Sequence, residues 1–274
     1  MTTHSDIVRR PAVAGLFYPA DAAALRATVD GLLADAAPLA ATPPKALIVP
    51  HAGYGYSGPV AATAYAALAP LQGRIRRVVL LGPVHRVPVR GLALPGCDAF
   101  ATPLGRVAID RELAERVRRL PQVVTSAAAH AQEHSLEVHL PFLQRVLGDF
   151  TLLPLAVGNA SAEEVAAVLD AVWDGADTLI VVSSDLSHYL PYGEAQRVDR
   201  ATAAAILDLS TELDHHQACG ATPVIGLALQ ARRRGLRPAL VDLRNSGDTA
   251  GDRSRVVGYG AFTFHDTKDT THAV

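Results

Sequence analysis

The strongest constraint on the fold of this chain is a set of aliphatic runs that show no polar alternation. Ala46-Leu-Ile-Val49, Val78-Val-Leu-Leu81 and Leu179-Ile-Val-Val182 are apolar at every position. A strand with one wet face alternates, whereas a run this uniform suits a strand covered on both faces, as in a parallel sheet between helix layers. Strands are therefore expected at Ala46–Val49, Arg77–Leu81, Thr151–Val157, Thr178–Val182, Ala239–Asp242 and Val256–Phe264. Between them lie helical patterns at Asp21–Ala36, Pro59–Ala69, Asp110–Leu120, Ser161–Asp174, Glu194–Thr211 and Thr222–Arg234. No composition break divides the chain. The expected architecture is α/β: one three-layer α/β/α domain over residues 1–274 with a mostly parallel central sheet.

Three of these strands end alike, in a polar turn that carries a histidine: Ala-Leu-Ile-Val-Pro-His51, Val-Val-Leu-Leu-Gly-Pro-Val-His85 and Leu-Ile-Val-Val-Ser-Ser-Asp185-Leu-Ser-His188. Open α/β sheets bind ligands beyond the carboxyl ends of their strands. If the strands are neighbours, His51, His85, Asp185 and His188 converge on one crevice. Neutral imidazole is a ligand for zinc, copper and iron, so the chemistry expected there is metal-based. Cys219 is the best candidate for a third ligand. It precedes Thr222-Pro223 at an expected helix start, where the helix dipole would draw its pKa down toward thiolate. Cys97 has no such setting and reads as structural.

The segment His130-Ala-Gln-Glu133-His134 spells H-x-x-E-H, the inverted-zincin pattern. On a helix it would offer two ligands and a carboxylate for a bound water. Alternatively, Glu133 and His134 line the crevice, orienting ligands or relaying protons. Other motifs fall short. Gly53-Tyr-Gly-Tyr-Ser-Gly58 lacks the lysine of a phosphate loop, and its glycines read as a tight turn beneath His51. Ser183-Ser184 does not form a nucleophile elbow. Arg232-Arg-Arg234 is a solvated helix end.

Composition excludes several classes. A formal net charge of -2 in 274 residues provides no concentrated basic face for nucleic acid. Two cysteines cannot make a disulfide framework, so a reducing cytoplasm is the expected compartment. No apolar stretch has spanning length, and the signal-like segment after Arg9-Arg10 contains two prolines and runs into Asp21, so no membrane role is expected. Of 11 histidines, His4 and His272 lie near the termini, and His215, His216 and His265 have no recognised role.

With these residues assembled, the sequence resembles the Memo family, the component called protein B of the AmmeMemoRadiSam system. The resemblance runs through Arg10-Pro-Ala-Val-Ala-Gly-Leu-Phe-Tyr-Pro19, Pro50-His-Ala-Gly-Tyr54, Tyr56-Ser-Gly-Pro59, Leu81-Gly-Pro-Val-His85, Glu133-His-Ser-Leu-Glu-Val-His-Leu-Pro-Phe142, Ser183-Ser-Asp-Leu-Ser-His188 and Gly258-Tyr-Gly-Ala-Phe262. It implies a fold similar to class III extradiol dioxygenases, with His51, His85 and Cys219 as metal ligands and Asp185 and His188 beside them. In those enzymes two histidines and a glutamate hold iron; a thiolate in place of the carboxylate adds soft character and changes the redox potential.

The expected function is a metal-dependent oxidoreductase, with Fe(II) first and copper or zinc as alternatives. Asp185 and His188 would be catalytic, with His188 held by Asp185 as the general acid/base, and Tyr54, Glu133 and His134 would face a small-molecule or peptide substrate. Competing expectations are a zinc hydrolase and a non-catalytic module that binds a peptide or partner. The resemblance also implies a functional link to AMMECR-like and radical SAM proteins.

Overall fold

The computed structural model describes residues 6–36, 42–173 and 175–267. His4, His272 and Asp174, the expected last residue of one helix, lie outside the described residues. Chain order begins β1 (Val8–Arg9), α1 (Ala22–Asp35), β2 (Ala46–Val49), α2 (Tyr54–Ala66), β3 (Arg77–Pro83), β4 (Leu92–Leu94), β5 (Ala99–Thr102), β6 (Gly105–Ala108), α3 (Arg111–Arg118), β7 (Val123–Thr125), α4 (Ala127–Ala131) and α5 (Leu140–Leu147). It continues β8 (Thr151–Val157), α6 (Ala162–Val172), β9 (Thr178–Ser183), β10 (His188–Leu190), α7 (Tyr192–Leu207), α8 (Ala221–Arg234), β11 (Leu236–Asn245), α9 (Ser246–Thr249) and β12 (Val256–Asp266).

The uniform aliphatic runs do what their composition dictates. β2, β9, β3 and β8 lie side by side in that order, all parallel, and their Val, Ile and Leu side chains are buried on both faces. One contiguous apolar cluster joins them to the helices, with α1, α2 and α5 packed together in one group and α3, α6 and α8 in another. The result is a three-layer α/β/α arrangement. All six expected strands and all six expected helices are present among the described residues, β2 and β8 with the expected ends and the others with shifted ones.

The sheet as a whole is mixed rather than mostly parallel. β12 pairs antiparallel with β2, β10 and β11, and β4 pairs antiparallel with β8. The connection from β11 to β12 is too short for the crossover that parallel neighbours need, so the chain folds back on itself. A separate three-stranded sheet, β1-β5-β6, carries Arg9 to the side of Phe100. Its short strands carry too little pattern to be seen in the sequence.

The glycine-rich segment after His51 is the clearest local departure. It is not a turn: α2 starts at Tyr54 and runs through Pro59. Three glycines and a proline read as breakers, but burial of Tyr54, Val60 and Tyr65 against the core outweighs weak propensity.

Caps behave as the residue types predict. Asp21 accepts from Ala24 N at the start of α1, and Ser161 and Glu164 form a reciprocal capping box on α6. None of the described helices is long and apolar enough to cross a membrane.

Candidate metal centre

The parallel strands β2, β3 and β9 end together, and each delivers a polar group two residues beyond its last position: His51 after Val49, His85 after Pro83, Asp185 after Ser183. Register makes them converge, because Val49 lies opposite Ser183 and Leu81 opposite Val182. The rings of His51 and His85 are 5.2 Å apart. His134 joins them, with ring centroids 4.7 Å from His85 and 5.5 Å from His51. One ligand atom from each of the three lies within 4.8 Å of the others, close enough that the group could hold one ion. His134, expected either as a ligand with His130 or as a crevice-lining group, stands beside His51 and His85 in the cluster that could hold an ion.

Ring partners set which nitrogen faces inward. Glu133 accepts from His85 N (2.6 Å), His134 N (3.0 Å) and Ser135 N (3.0 Å), and lies 2.9 Å from His85 Nδ1. Burial would raise its carboxyl, but the His85 and Ser135 hydrogen bonds hold it down at about 2. A carboxylate only accepts, so His85 Nδ1 carries the hydrogen and Nε2 offers the lone pair.

His51 is fixed by a hydroxyl instead. Ser183 Oγ donates to Ser135 O at 2.6 Å and therefore accepts from His51 Nδ1, also 2.6 Å away. Burial, followed by the neighbouring imidazoles, pushes His51 well below its ordinary pKa, and burial does the same to His134, to about 4. Neutral imidazoles at pH 7 are competent ligands.

Cys219 stands beside this cluster, its Sγ 3.4 Å from His51 Nε2. Gly220 makes the approach possible, since a Cβ there would stand 2.6 Å from Ser183 O. The helix start is Ala221, one residue before the expected Thr222. The predicted drop toward thiolate does not occur. Burial first, then the Asp185 charge, pushes the thiol up to about 12, more than the backbone donors around it offset. A cation bound beside it would favour the thiolate.

Asp185 does not hold His188. Its Oδ1 accepts His51 N at 2.7 Å, and Oδ2 is 4.0 Å from His51 Nε2. Burial raises this carboxyl to about 7. His188 is oriented by the Leu186 carbonyl, 2.8 Å from Nδ1, which leaves Nε2 for exchange.

Three other expectations change. Tyr54 is a core residue rather than a substrate contact: its OH donates to Val138 O at 2.7 Å and its ring packs on Phe142. Glu133 has its oxygens engaged by backbone and His85 donors, which places it behind the His85 ring rather than free in the crevice. The inverted-zincin reading fails because α4 ends at Ala131 and His130 Nε2 donates to Ala93 O at 2.7 Å, beside Phe100.

Sequence reasoning missed the clamp behind His134. Arg9 donates to His130 O, Glu133 O and the Glu137 carboxylate. Glu137 also accepts from Ala12 N, Val13 N and Tyr18 OH. Tyr18, Tyr54 and Tyr65 thus place their hydroxyls on Glu137, Val138 and His139 in turn. The clamp draws the N-terminal segment across the site, where the Phe17 ring lies 4.8 Å from His134. Arg9 and Glu137 are 128 positions apart, and no local pattern links them.

Two buried histidines outside the cluster set an acid limit. Burial lowers His130 to about 4 and His139 to about 3. Both titrate near 6.5 when unfolded, so the unfolded chain takes up protons that the folded chain refuses. Their stability contribution is complete above pH 6.5 and is lost as the pH falls toward 4. At pH 5 the pair is expected to cost about 4 kcal/mol relative to pH 7.5, from roughly 1.4 kcal/mol per pH unit for each. Urea unfolding at both pH values tests this. A His139→Gln variant with the same pH slope as the parent would refute its share.

Fold and site together define a class: α/β/α proteins with a strand-end histidine cluster at metal-ligand spacing. The family profile described as "Memo-like protein" matches residues 9–263. A MEMO1 family protein of Aquifex aeolicus is 40% identical, covering 94% of this chain and 99% of that one. The Methanopyrus kandleri MEMO1 family protein MK0963 is 36% identical over 93% of this chain and 98% of its own length. The chain belongs to the Memo family. A crystal structure of the Escherichia coli K12 protein JW3007 has a TM-score of 0.49 and 15% identity, covering 78% of this chain and 98% of that one.

Proposed function

We propose that this chain is a metal-dependent oxidoreductase that holds one transition ion, Fe(II) in preference to copper or zinc, between His51, His85 and a third donor, His134 or Cys219. The observation that carries this reading is the cluster of three imidazole ligand atoms within 4.8 Å, two of them turned inward by Ser183 and Glu133. The donor set fits a borderline ion, and the thiol widens the range toward softer ones. Such an ion would supply Lewis acidity and one-electron chemistry to a small molecule or peptide that chelates it.

The chain's own residues supply the rest. His188, fixed at Nδ1, exchanges protons with substrate through Nε2, and buried Asp185 offers a second proton site beside the ligands. Phe17 walls the His134 side and limits water. The implied AMMECR-like and radical SAM proteins belong to the same proposal as functional partners.

Anaerobic loading with Fe(II), followed by O2-uptake assays on catechols and thiols, tests the reading. Substrate-dependent uptake that is lost in His85→Ala is expected. Metal binding with no uptake on any substrate would overturn the redox role. Ser183→Ala frees His51 to take the wrong tautomer and is expected to weaken Co(II) binding about 10–100-fold. Unchanged affinity in a chelator competition would sink that role for Ser183.

A further inference from the structure

The segment Gly258-Tyr-Gly-Ala-Phe262 contributes no member of the histidine cluster, yet β12 runs directly beside the loop that presents Asp185 and His188. Leu186 N donates to Gly258 O and Gly258 N donates to Ser187 O, both at 2.8 Å. From α7, Asp199 reaches over the same point. A Cβ on Gly258 would stand 2.1 Å from Asp199 Oδ2 and 2.4 Å from Cγ. The carboxylate thus occupies the volume that any side chain would need. No other residue type fits position 258 while Asp199 stays in place.

Asp199 is 2% exposed and its Oδ1 accepts Ser187 N at 3.0 Å. Its Oδ2 and the buried Ser187 hydroxyl make no well-formed hydrogen bond, although that hydroxyl is near enough to favour the charged carboxylate. Burying a carboxyl with an unsatisfied oxygen costs stability. What it gains is control of one peptide unit. Ser187 N–H and Leu186 C=O are the two polar ends of the same planar amide. Holding the N–H fixes the direction of the carbonyl, and that carbonyl accepts His188 Nδ1–H at 2.8 Å.

We propose that Asp199 is a positioning residue and Gly258 its seat, together setting the His188 tautomer through the Leu186–Ser187 amide. The value of that tautomer for proton exchange rests on the oxidoreductase reading above.

Imidazole 15N NMR at neutral pH, without added metal, tests it, with His188 assigned by its loss in His188→Gln. The parent should show His188 protonated at Nδ1. Asp199→Ala should move the His188 signals toward a mixture of tautomers, whereas Asp199→Asn, which keeps the Oδ1 acceptor, should retain the parent pattern. Gly258→Ala should shift His188 in the same way and lower the urea midpoint, and this midpoint drop should largely disappear in the Asp199→Ala background. A folded Asp199→Ala protein with unchanged His188 signals would overturn the proposal, as would an equal Gly258→Ala midpoint drop in both backgrounds. Because the lock is read without metal, a parent that binds no Co(II) removes the oxidoreductase reading alone.

Discussion

Replacing His51 and His85 together by alanine is expected to reduce Co(II) or Zn(II) affinity by roughly four orders of magnitude. A structural zinc site of four ligands is worth about 10–16 kcal/mol, or about 3 kcal/mol per ligand, which is roughly a hundredfold in affinity for each histidine removed. The rings lie 5.2 Å apart and are held by independent partners, Ser183 and Glu133, so neither can take over the other's place. His130→Ala should leave affinity unchanged, since its Nε2 is committed to Ala93 O. Competition against a chromophoric chelator measures all three. Parent-like affinity in the double variant would eliminate the strand-end site, and loss in His130→Ala would restore the inverted-zincin alternative. Comparing His134→Ala with Cys219→Ala then decides the third donor.

The largest effect on stability is expected at Glu137, whose side chain is wholly buried. Leucine there would leave the Arg9 guanidinium without its carboxylate, and Ala12 N, Val13 N and Tyr18 OH without an acceptor. Breaking a buried ion pair from one side costs about 3–5 kcal/mol, because the remaining charge stays desolvated. Urea unfolding at pH 7 should show that loss, with a fall in Tm of roughly 10 °C. Asp30→Asn is the contrast: its pair with Arg145 is partly exposed and is expected to contribute about 1 kcal/mol or less. If the two variants lose equal stability, the clamp is not a major anchor. Glu137→Leu should also loosen Phe17 over His134, so its metal affinity should fall with its stability.

The chemistry of the strand ends could be read in advance because it is local. A both-face-buried run followed by a turn histidine recurs at His51 and His85, and parallel pairing converts that recurrence into proximity. His134 lay in a segment with two competing readings, helix ligand or crevice lining. The outcome turned on α4 stopping at Ala131, which tertiary contacts and not helical periodicity determine. Tyr54 was misplaced for a similar reason: a tyrosine in a glycine-rich segment reads as exposed until the helix that buries it is seen. The Cys219 thiol went the other way from expectation because burial and Asp185 together outweigh the helix end.

By itself, the sequence determined the α/β class, the central strands, the major helices and the residues that close β2, β3 and β9 with polar groups. These follow from hydrophobic patterning and turn composition, which act over a few residues. Only the tertiary structure decided the mixed sheet, the entry of His134 into the cluster, the Arg9–Glu137 clamp and the seating of Asp199 on Gly258. Each joins groups far apart in the chain through burial and hydrogen-bond geometry. No short-range pattern encodes such contacts; they exist only once the layers have packed.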